Sequence, residues 1–528
     1  MPRPMTAASA PIYDAIIVGS GFGGAMTAQV LVQAGWRVLL LERGPWVRRD
    51  ASSWEPGQSG LLSPYYSKED PYRVVERHGE RRAGAFFCVG GASVFYGGAS
   101  LRFRERDFVA NPEFHGDAEW PIGYGELEQH YSEAEQLLGI CGEPNGDPTA
   151  PPRSSAYGAP PAPLAPISAR LFESARALGW SPFRVPVAMD QRVRRGVARC
   201  VSCDACDGFA CPIAAKNDLA TVVLAPLVGE GLELRPNTVV TRLVADGGVV
   251  TAIEAADATT GERLTFRGRQ VILAAGALAT PHLILASGLE RHSPAPHVVG
   301  RYLMRHHNTV VVGLFPTLPN AGHRFLKQVA VHDFYHGDPE VPHLGDRLGA
   351  LQQLALPPAS VVRAMVPRLL GWLATPVIDH CAAMLALAED QPCPENGVQL
   401  SHDSPDRYGM PGLMVRHEYT RRDRAAGRAL ARQATRLLRA AGAVACVRHV
   451  ISTFSHALGT VRMGVDPASS PVDGMGRFRG LANLLIADGS VIPTSAGVNP
   501  SLTIAANALR IARALAAQTV HEEIPHAA

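Results

Sequence analysis

The sequence predicts an α/β protein: a parallel, Rossmann-like sheet assembled from separated chain segments, with a discontinuous α+β domain between them. A strand–turn–helix–strand pattern near the start predicts the first part of that sheet. A strand followed by a long one-faced helix near the end predicts its return. With 528 residues the chain exceeds what one hydrophobic core holds and calls for two domains or three.

The opening unit is "YDAIIVGSGFGGAMTAQVLVQAGWRVLLLERG" at 13–44. The run "AIIV" has the continuous apolar character of a buried parallel strand. Gly19, Gly21 and Gly24 follow as G-x-G-x-x-G, a helix opens on small residues, and "RVLLLE" reads as a second strand ending in Glu42. Gly19 allows a tight turn, Gly21 lets the backbone approach a pyrophosphate, and Gly24 lets the helix pack close to the strand. The helix start offers free N–H groups and partial positive charge to phosphates. Glu42 is placed to accept hydrogen bonds from ribose hydroxyls. This unit predicts dinucleotide binding without choosing between NAD and FAD.

The closing unit lies at 473–515. "NLLIADGSVIP" reads as a strand running into Asp488, and "NPSLTIAANALRIARAL" as a helix with Asn499 at the N-cap and Pro500 at the first helical position. Leu502, Ala505, Leu509, Ala512 and Leu515 fall on one face of it.

Composition excludes several classes. Hydrophobic residues make 46% and charged residues 19%, and 50 Lys+Arg against 48 Asp+Glu leave a formal net charge of +2. That balance argues against nucleic acid as a partner. The first residues lack a signal-peptide core and a twin arginine, which predicts a cytoplasmic protein. No run reaches the ~18–20 uncharged apolar residues of a membrane span.

The motifs together carry a family resemblance. Besides the opening cradle there are "CVGGASVFYGGASLRF" at 88–103, "AAGALATPHLILASG" at 274–288, "SHALGT" from Ser455 and "NPSLT" from Asn499; "WPIGYGELEQHYSEAE" at 120–135 accompanies them. In this order the chain resembles the glucose–methanol–choline (GMC) oxidoreductases, flavoenzymes that oxidise alcohols. The resemblance is weakest over 145–195 and 315–390. It implies FAD rather than NAD, with Gly19, Gly21, Gly24 and Glu42 on the adenosine diphosphate half. It places Gly90, Gly91, Ser93, Gly97 and Gly98 along the pyrophosphate and isoalloxazine, Val240 against the adenine, and Asp488 near the ribityl chain and pyrophosphate. Some members tether FAD through a histidine in the glycine-rich loop; Phe95 stands at the comparable place, which implies non-covalent FAD.

The resemblance also assigns the substrate side. His456 and Asn499 match the two residues that face substrate in the family. Histidine's ordinary pKa suits a general base for a hydroxyl proton. Asn499 would position the hydroxyl oxygen, and the helix start at Pro500 would favour negative charge on reduced flavin. For Asn499 the competing role is a plain helix cap, and for His456 a satisfied core histidine.

The expected FAD domain comprises 10–110, 200–300 and 447–520, and the expected substrate domain 111–199 and 301–446. The stretch 359–390 is strongly apolar; it reads as buried helices, or as a lid or peripheral membrane contact over an apolar substrate channel, and it tilts the expected small-molecule alcohol toward an apolar one. Cys200, Cys203, Cys206 and Cys211 form C-x2-C-x2-C-x4-C, open to an iron–sulfur cluster, zinc, a disulfide or free thiols. Some sugar-oxidising GMC subunits carry an iron–sulfur cluster in such a segment. A cluster here would pass electrons singly to a carrier protein or quinone and would bring the four sulfurs into one nest. Competing functions are an NAD(P)-dependent dehydrogenase, a non-redox lyase holding FAD structurally, and a non-catalytic electron-transfer subunit.

Overall fold

The computed structural model describes residues 12–522, apart from 77–78, 113, 115–118, 145, 191–198, 366–375 and 404. A seven-stranded sheet carries the nucleotide end. Its order is Leu232–Arg235, Val38–Leu41, Ile12–Val18, Arg263–Leu273, Val249–Asp257 and Thr238–Asp246, with Leu484–Ile486 also paired to Arg263–Leu273. The first four and Leu484–Ile486 are mutually parallel, and Val249–Asp257 and Thr238–Asp246 are antiparallel additions. Ala15, Ile16 and Ile17 are 0% exposed, as a strand covered on both faces requires. Burying each isoleucine contributes about 1.5–3 kcal/mol.

Register brings the site together. Val18 lies opposite both Leu41 and Leu273, and Leu273 lies opposite Ile486. Four parallel strands therefore end level, and the turns at 19–21, 42–44, 274–276 and 487–489 meet at one edge. Ligands of open parallel sheets bind at this carboxyl edge.

A six-stranded antiparallel sheet forms the second layer system, in the order Ala445–Val450, His307–Leu314, Cys381–Ala388, Gly349–Leu354, Val329–Val331 and Pro182–Arg184. Helices Pro166–Ala177 and Arg421–Ala440 cover one face, burying Leu171, Leu430, Leu437 and Leu438 against Leu351 and Met384. The long helix starts cleanly: the Asp423 N–H donates to Thr420 Oγ1 at 3.0 Å, and Asp423 Oδ2 accepts from the Thr420 N–H at 2.8 Å. Ala330 and Ala350, on the other face, join the main core. A four-stranded sheet joins Tyr66–Glu76 and Gly79–Phe86 to Gly397–Ser401 and Gly412–Arg416, so it draws on both expected domain segments.

Two expectations are corrected here. The last helix spans Ser501–Glu522, and its first turn closes from the Ile504 N–H to the Pro500 carbonyl at 3.0 Å. Pro500 thus sits at the cap and Asn499 one residue before it, which frees the asparagine side chain from capping. Within the apolar stretch, Ala359–Met365 is helical, whereas Cys381–Ala388 is a strand inside the six-stranded sheet. Ala382 to Ala388 are buried, so covering on both faces accounts for their apolarity without a lid. Residues 366–375 of that stretch lie outside the described residues.

Candidate active site

The level strand ends line a cavity of about 440 Å³. Gly19, Gly21, Glu42, Gly90, Gly91, Ser93, Val240 and Asp488 all line it. Helix Phe22–Gln33 opens at Gly21 with no side-chain cap, which leaves its first N–H groups to a ligand. A Cβ at Gly21 would meet nothing within 4 Å, so the backbone there is open to a phosphate. Gly24 does not line the cavity; a Cβ on it would collide with the Gly19 carbonyl, the close helix–strand approach that the motif predicts. These features fit the adenosine diphosphate half of FAD.

Glu42 is fully buried at the cavity wall. Burial pushes its carboxyl upward, while bonds from Ser20 and Gly44 pull the other way. Its Oε2 accepts from the Ser20 N–H at 3.1 Å and the Ser20 hydroxyl at 2.5 Å, and its Oε1 from the Gly44 N–H at 2.9 Å. Ser20, absent from the sequence-derived set, also accepts from the Gly90 N–H at 2.9 Å and so locks the two glycine-rich loops together. The Ser93 hydroxyl is used internally, donating to the Gly90 carbonyl at 2.6 Å and accepting from the Leu219 N–H at 3.2 Å. Asp488 is likewise occupied: Gly276 N–H, Thr280 Oγ1, Ser490 N–H and Ser490 Oγ all donate to its carboxylate within 2.5–2.8 Å. It ties the start of helix Gly276–Ala286 to its own turn. Phe95, at the tethering position, stacks on Phe86 with ring centroids 4.8 Å apart. Gly97 and Gly98 do not line this cavity; the atoms nearest the open side of Gly97 belong to Lys327 and Asp207.

His456 and Asn499 do not line this cavity, though Ser455 and Ala457, on either side of His456 in the chain, do. The two side chains are brought together, with Asn499 Nδ2 3.5 Å from His456 Nε2. His456 Nδ1 lies 3.2 Å from Nδ1 of His306. His306 Nε2 in turn lies 2.9 and 3.0 Å from the carbonyl oxygens of Ser495 and Ala496. Carbonyls only accept, so His306 carries its proton on Nε2. Burial holds its pKa below the ordinary value and keeps the ring neutral. His306 Nδ1 is therefore the acceptor and His456 Nδ1 the donor, which leaves a lone pair on His456 Nε2. Asn499 agrees with this assignment. Its Oδ1 accepts from Gln352 Nε2 at 3.1 Å, so its amide N–H groups face His456.

Electrostatics favour a neutral His456 ring. Burial lowers the His456 pKa well below its ordinary value, His306 and Lys327 lower it further, and Asp390 opposes them. His306 has φ +59°, a strained conformation for a non-glycine residue. Asp390 holds it there, with Oδ1 accepting from the His306 N–H at 2.9 Å and Oδ2 from the Arg305 N–H at 2.9 Å. His306 and Gln352 were missed from sequence. The first had a signal in the "RHHN" step that enters a strand, and the second had none outside the strand pairing.

The cysteine loop departs from expectation. All nine cysteines are free thiols, and among the described residues no group of three or more His, Cys, Asp or Glu could hold a metal. Cys200, Cys203, Cys206 and Cys211 do not form the expected four-sulfur nest. The Cys203 and Cys206 thiols share a hydrogen bond that lowers Cys203 to about 6 and raises Cys206. An ammonium organises the loop instead: buried Lys216 donates to the carbonyls of Tyr96, Cys206 and Phe209 at 3.1, 2.9 and 2.6 Å.

Comparison with known proteins agrees with the fold. Two family models for GMC oxidoreductases match residues 13–308 and 392–508. The chain is 31% identical to 6'''-hydroxyparomomycin C oxidase of Streptomyces lividus, over 98% of this chain and 93% of that protein. It is 30% identical to paromamine 6'-oxidase of Streptomyces fradiae over the same shares, 98% and 93%. With 2-methyl-1,2-propanediol dehydrogenase of Mycolicibacterium austroafricanum it shares 27% identity over 95% of each chain. The crystal structure of pyridoxine 4-oxidase from Mesorbium loti superposes with a TM-score of 0.66 at 19% identity, covering 97% of this chain and 100% of that one, which shows the shared fold. No helix among the described residues is long and apolar enough to cross a membrane. The matched segments, the level strand ends and the glycine-rich cradle make this chain a member of the GMC oxidoreductase family, the FAD-dependent oxidoreductases of alcohols.

Proposed function

We propose that the protein oxidises the CH–OH group of a small polar alcohol, with His456 Nε2 as general base and Asn499 positioning the hydroxyl. The observation that carries this reading is the directed chain from the Ser495 and Ala496 carbonyls through His306 to His456, which puts a lone pair on Nε2 beside Asn499 Nδ2. When bound, FAD supplies the hydride acceptor for the carbinol carbon. Gly19, Gly21 and the start of helix Phe22–Gln33 would hold its pyrophosphate, Glu42 its ribose and Val240 its adenine.

The alcohol oxygen receives a hydrogen bond from Asn499 Nδ2, whose orientation Gln352 fixes. His456 Nε2 takes the hydroxyl proton as negative charge develops on that oxygen. The ring is ready for this at neutral pH because burial keeps it unprotonated. Holding base and donor on one oxygen supplies orientation that solution lacks.

The groups around His456 support a polar substrate over an apolar one. Asn499 contacts it and is itself held by Gln352, both amides, and the apolar Cys381–Ala388 segment is spent in a sheet. The electron acceptor is oxygen or a carrier, since the relatives are named as oxidases and as a dehydrogenase. The test is anaerobic mixing of the purified flavoprotein with paromamine, 2-methyl-1,2-propanediol and a long-chain alcohol. Bleaching of the flavin by a polar alcohol supports the reading. No bleaching by any alcohol, with the flavin bound, supports the lyase alternative. Air or a carrier added afterwards then identifies the acceptor.

A further inference from the structure

The turn at 494–499 carries both carbonyls that orient His306, and the reaction above leaves open what holds that turn in place. We propose that Tyr335 is a positioning residue of the oxidation: its hydroxyl, anchored on Asp107, fixes Gly497 and so keeps the Ser495 and Ala496 carbonyls aimed at His306. The inference rests on the alcohol-oxidation reading and deepens it with a residue that no sequence motif marks.

The turn needs an external hold. Ala496 has φ +56°, a left-handed conformation that a residue with a Cβ keeps only where its surroundings impose it. Two successive carbonyls thereby face one nitrogen, His306 Nε2, at 2.9 and 3.0 Å. Asp390 clamps one side of the turn: its backbone N–H donates to Ser495 Oγ at 3.2 Å, and its carbonyl accepts from that hydroxyl at 3.1 Å. Tyr335 clamps the other. The Gly497 N–H donates to the Tyr335 hydroxyl at 3.1 Å, and that hydroxyl donates to Asp107 Oδ2 at 2.7 Å. The same carboxylate oxygen accepts from the Arg104 N–H at 2.7 Å.

The fit is close. Tyr335 and Asp107 are buried, and the Arg104 guanidinium carbon lies 4.4 Å from the Tyr335 ring centroid. A Cβ on Gly497 would lie 2.8 Å from Tyr335 Cε2 and 2.7 Å from Gly349 Cα, so the ring reaches the turn because residue 497 lacks a side chain. Thr494 extends the same hold. Its hydroxyl donates to the Asp107 carbonyl at 3.1 Å and accepts from Trp120 Nε1 at 3.0 Å. Trp120 opens the "WPIGYGELEQHYSEAE" segment, which thus braces the same turn. Asn499 is held separately, by Gln352. The path from Tyr335 to the base therefore runs through Gly497, the two carbonyls and His306 to His456 Nδ1, 3.2 Å from His306 Nδ1.

The experiment uses FAD-loaded holoenzyme carrying Tyr335→Phe, His306→Phe or both. The limiting rate of anaerobic flavin reduction and the half-saturating alcohol concentration are measured by stopped flow. Losing one neutral hydrogen bond weakens the hold by about fivefold, so Tyr335→Phe is expected to slow reduction by roughly two- to fivefold with half-saturation unchanged. Added to His306→Phe it is expected to slow reduction no further, because the path it acts through is already cut, whereas an unrelated structural loss would multiply. The parent rate in Tyr335→Phe, or the same slowing in both backgrounds, would overturn the proposal. Thr494→Val, which loosens the turn while leaving Tyr335 in place, is expected to show the same dependence on His306; it decides the matter if Tyr335→Phe does not fold, and equal slowing in both backgrounds counts against the proposal there too. A second readout is independent of turnover: amide hydrogen exchange of the peptide covering 495–499, expected to be about fivefold faster at Gly497 in Tyr335→Phe. A parent that no alcohol bleaches would sink the oxidation reading, while the exchange rate still decides whether Tyr335 fixes the turn; unchanged exchange would overturn that.

Discussion

Replacing His306 by phenylalanine separates the base from the residue that orients it. The ring shape is kept, but the 3.2 Å contact from His456 Nδ1 loses its acceptor. A neutral hydrogen bond is worth about 1 kcal/mol net, so losing this one relaxes the tautomer preference by about fivefold. The fraction of His456 with its lone pair on Nε2 falls accordingly. Flavin reduction in FAD-replete His306→Phe should therefore slow by at most about fivefold, against ~10²- to 10⁴-fold for His456→Ala, which removes the base itself. The carbonyls of Ser495 and Ala496 also lose their donor, and unfolding should come earlier by about 1–3 kcal/mol. The assay is anaerobic stopped-flow reduction at saturating alcohol, with flavin content measured in each variant. A His306→Phe loss as large as that of His456→Ala would make His306 the base. An unchanged rate would show that the tautomer is set elsewhere.

Glu42→Ala should lose FAD on dialysis while the remaining holoenzyme reduces at the parent rate; full flavin occupancy after dialysis would refute the ribose contact. Gly24→Ala should be destabilising by several kcal/mol, or prevent folding, because its Cβ would strike the Gly19 carbonyl and lie 3.3 Å from Ile17 Cγ2; a melting temperature equal to the parent's would contradict that packing. Burial lowers the pKa of His306, His332, His417 and His456 below their unfolded value of 6.5. The unfolded chain then binds protons first as pH falls below 6.5, and stability declines by up to about 1.4 kcal/mol per pH unit for each net proton. Melting temperatures measured from pH 7.5 to 5 should fall toward acid, and a rise would reverse the sign claimed here.

Local sequence carried the nucleotide end well, because each residue there acts through its own backbone or its own strand. Gly19 makes its turn at φ +99°, Gly21 leaves open space beside its backbone, Gly24 lets the helix approach Gly19, and Glu42 lies at the cavity just after its strand. His456 and Asn499 were identified by family motif, and their 43-residue separation closes to 3.5 Å. What stayed hidden depends on tertiary contact. Gln352 reaches Asn499 across 147 residues and His306 reaches His456 across 150. No local pattern encodes such a pairing. The cysteines misled for the opposite reason: dense spacing permits a metal nest, but the buried Lys216 already supplies the positive centre. The cap assignment at Asn499 missed by one residue, a common error at helix ends, yet here it decided whether the amide was free for substrate.

The most direct test of the central claim is the stoichiometry of one anaerobic turnover. Enzyme carrying a known amount of oxidised flavin is mixed with excess alcohol in the absence of any acceptor, and carbonyl product is quantified against flavin bleached. The account predicts one carbonyl formed per flavin reduced, with both slowed together in His456→Ala. Carbonyl product appearing while the flavin stays oxidised, or equal rates in His456→Ala and the parent, would contradict it.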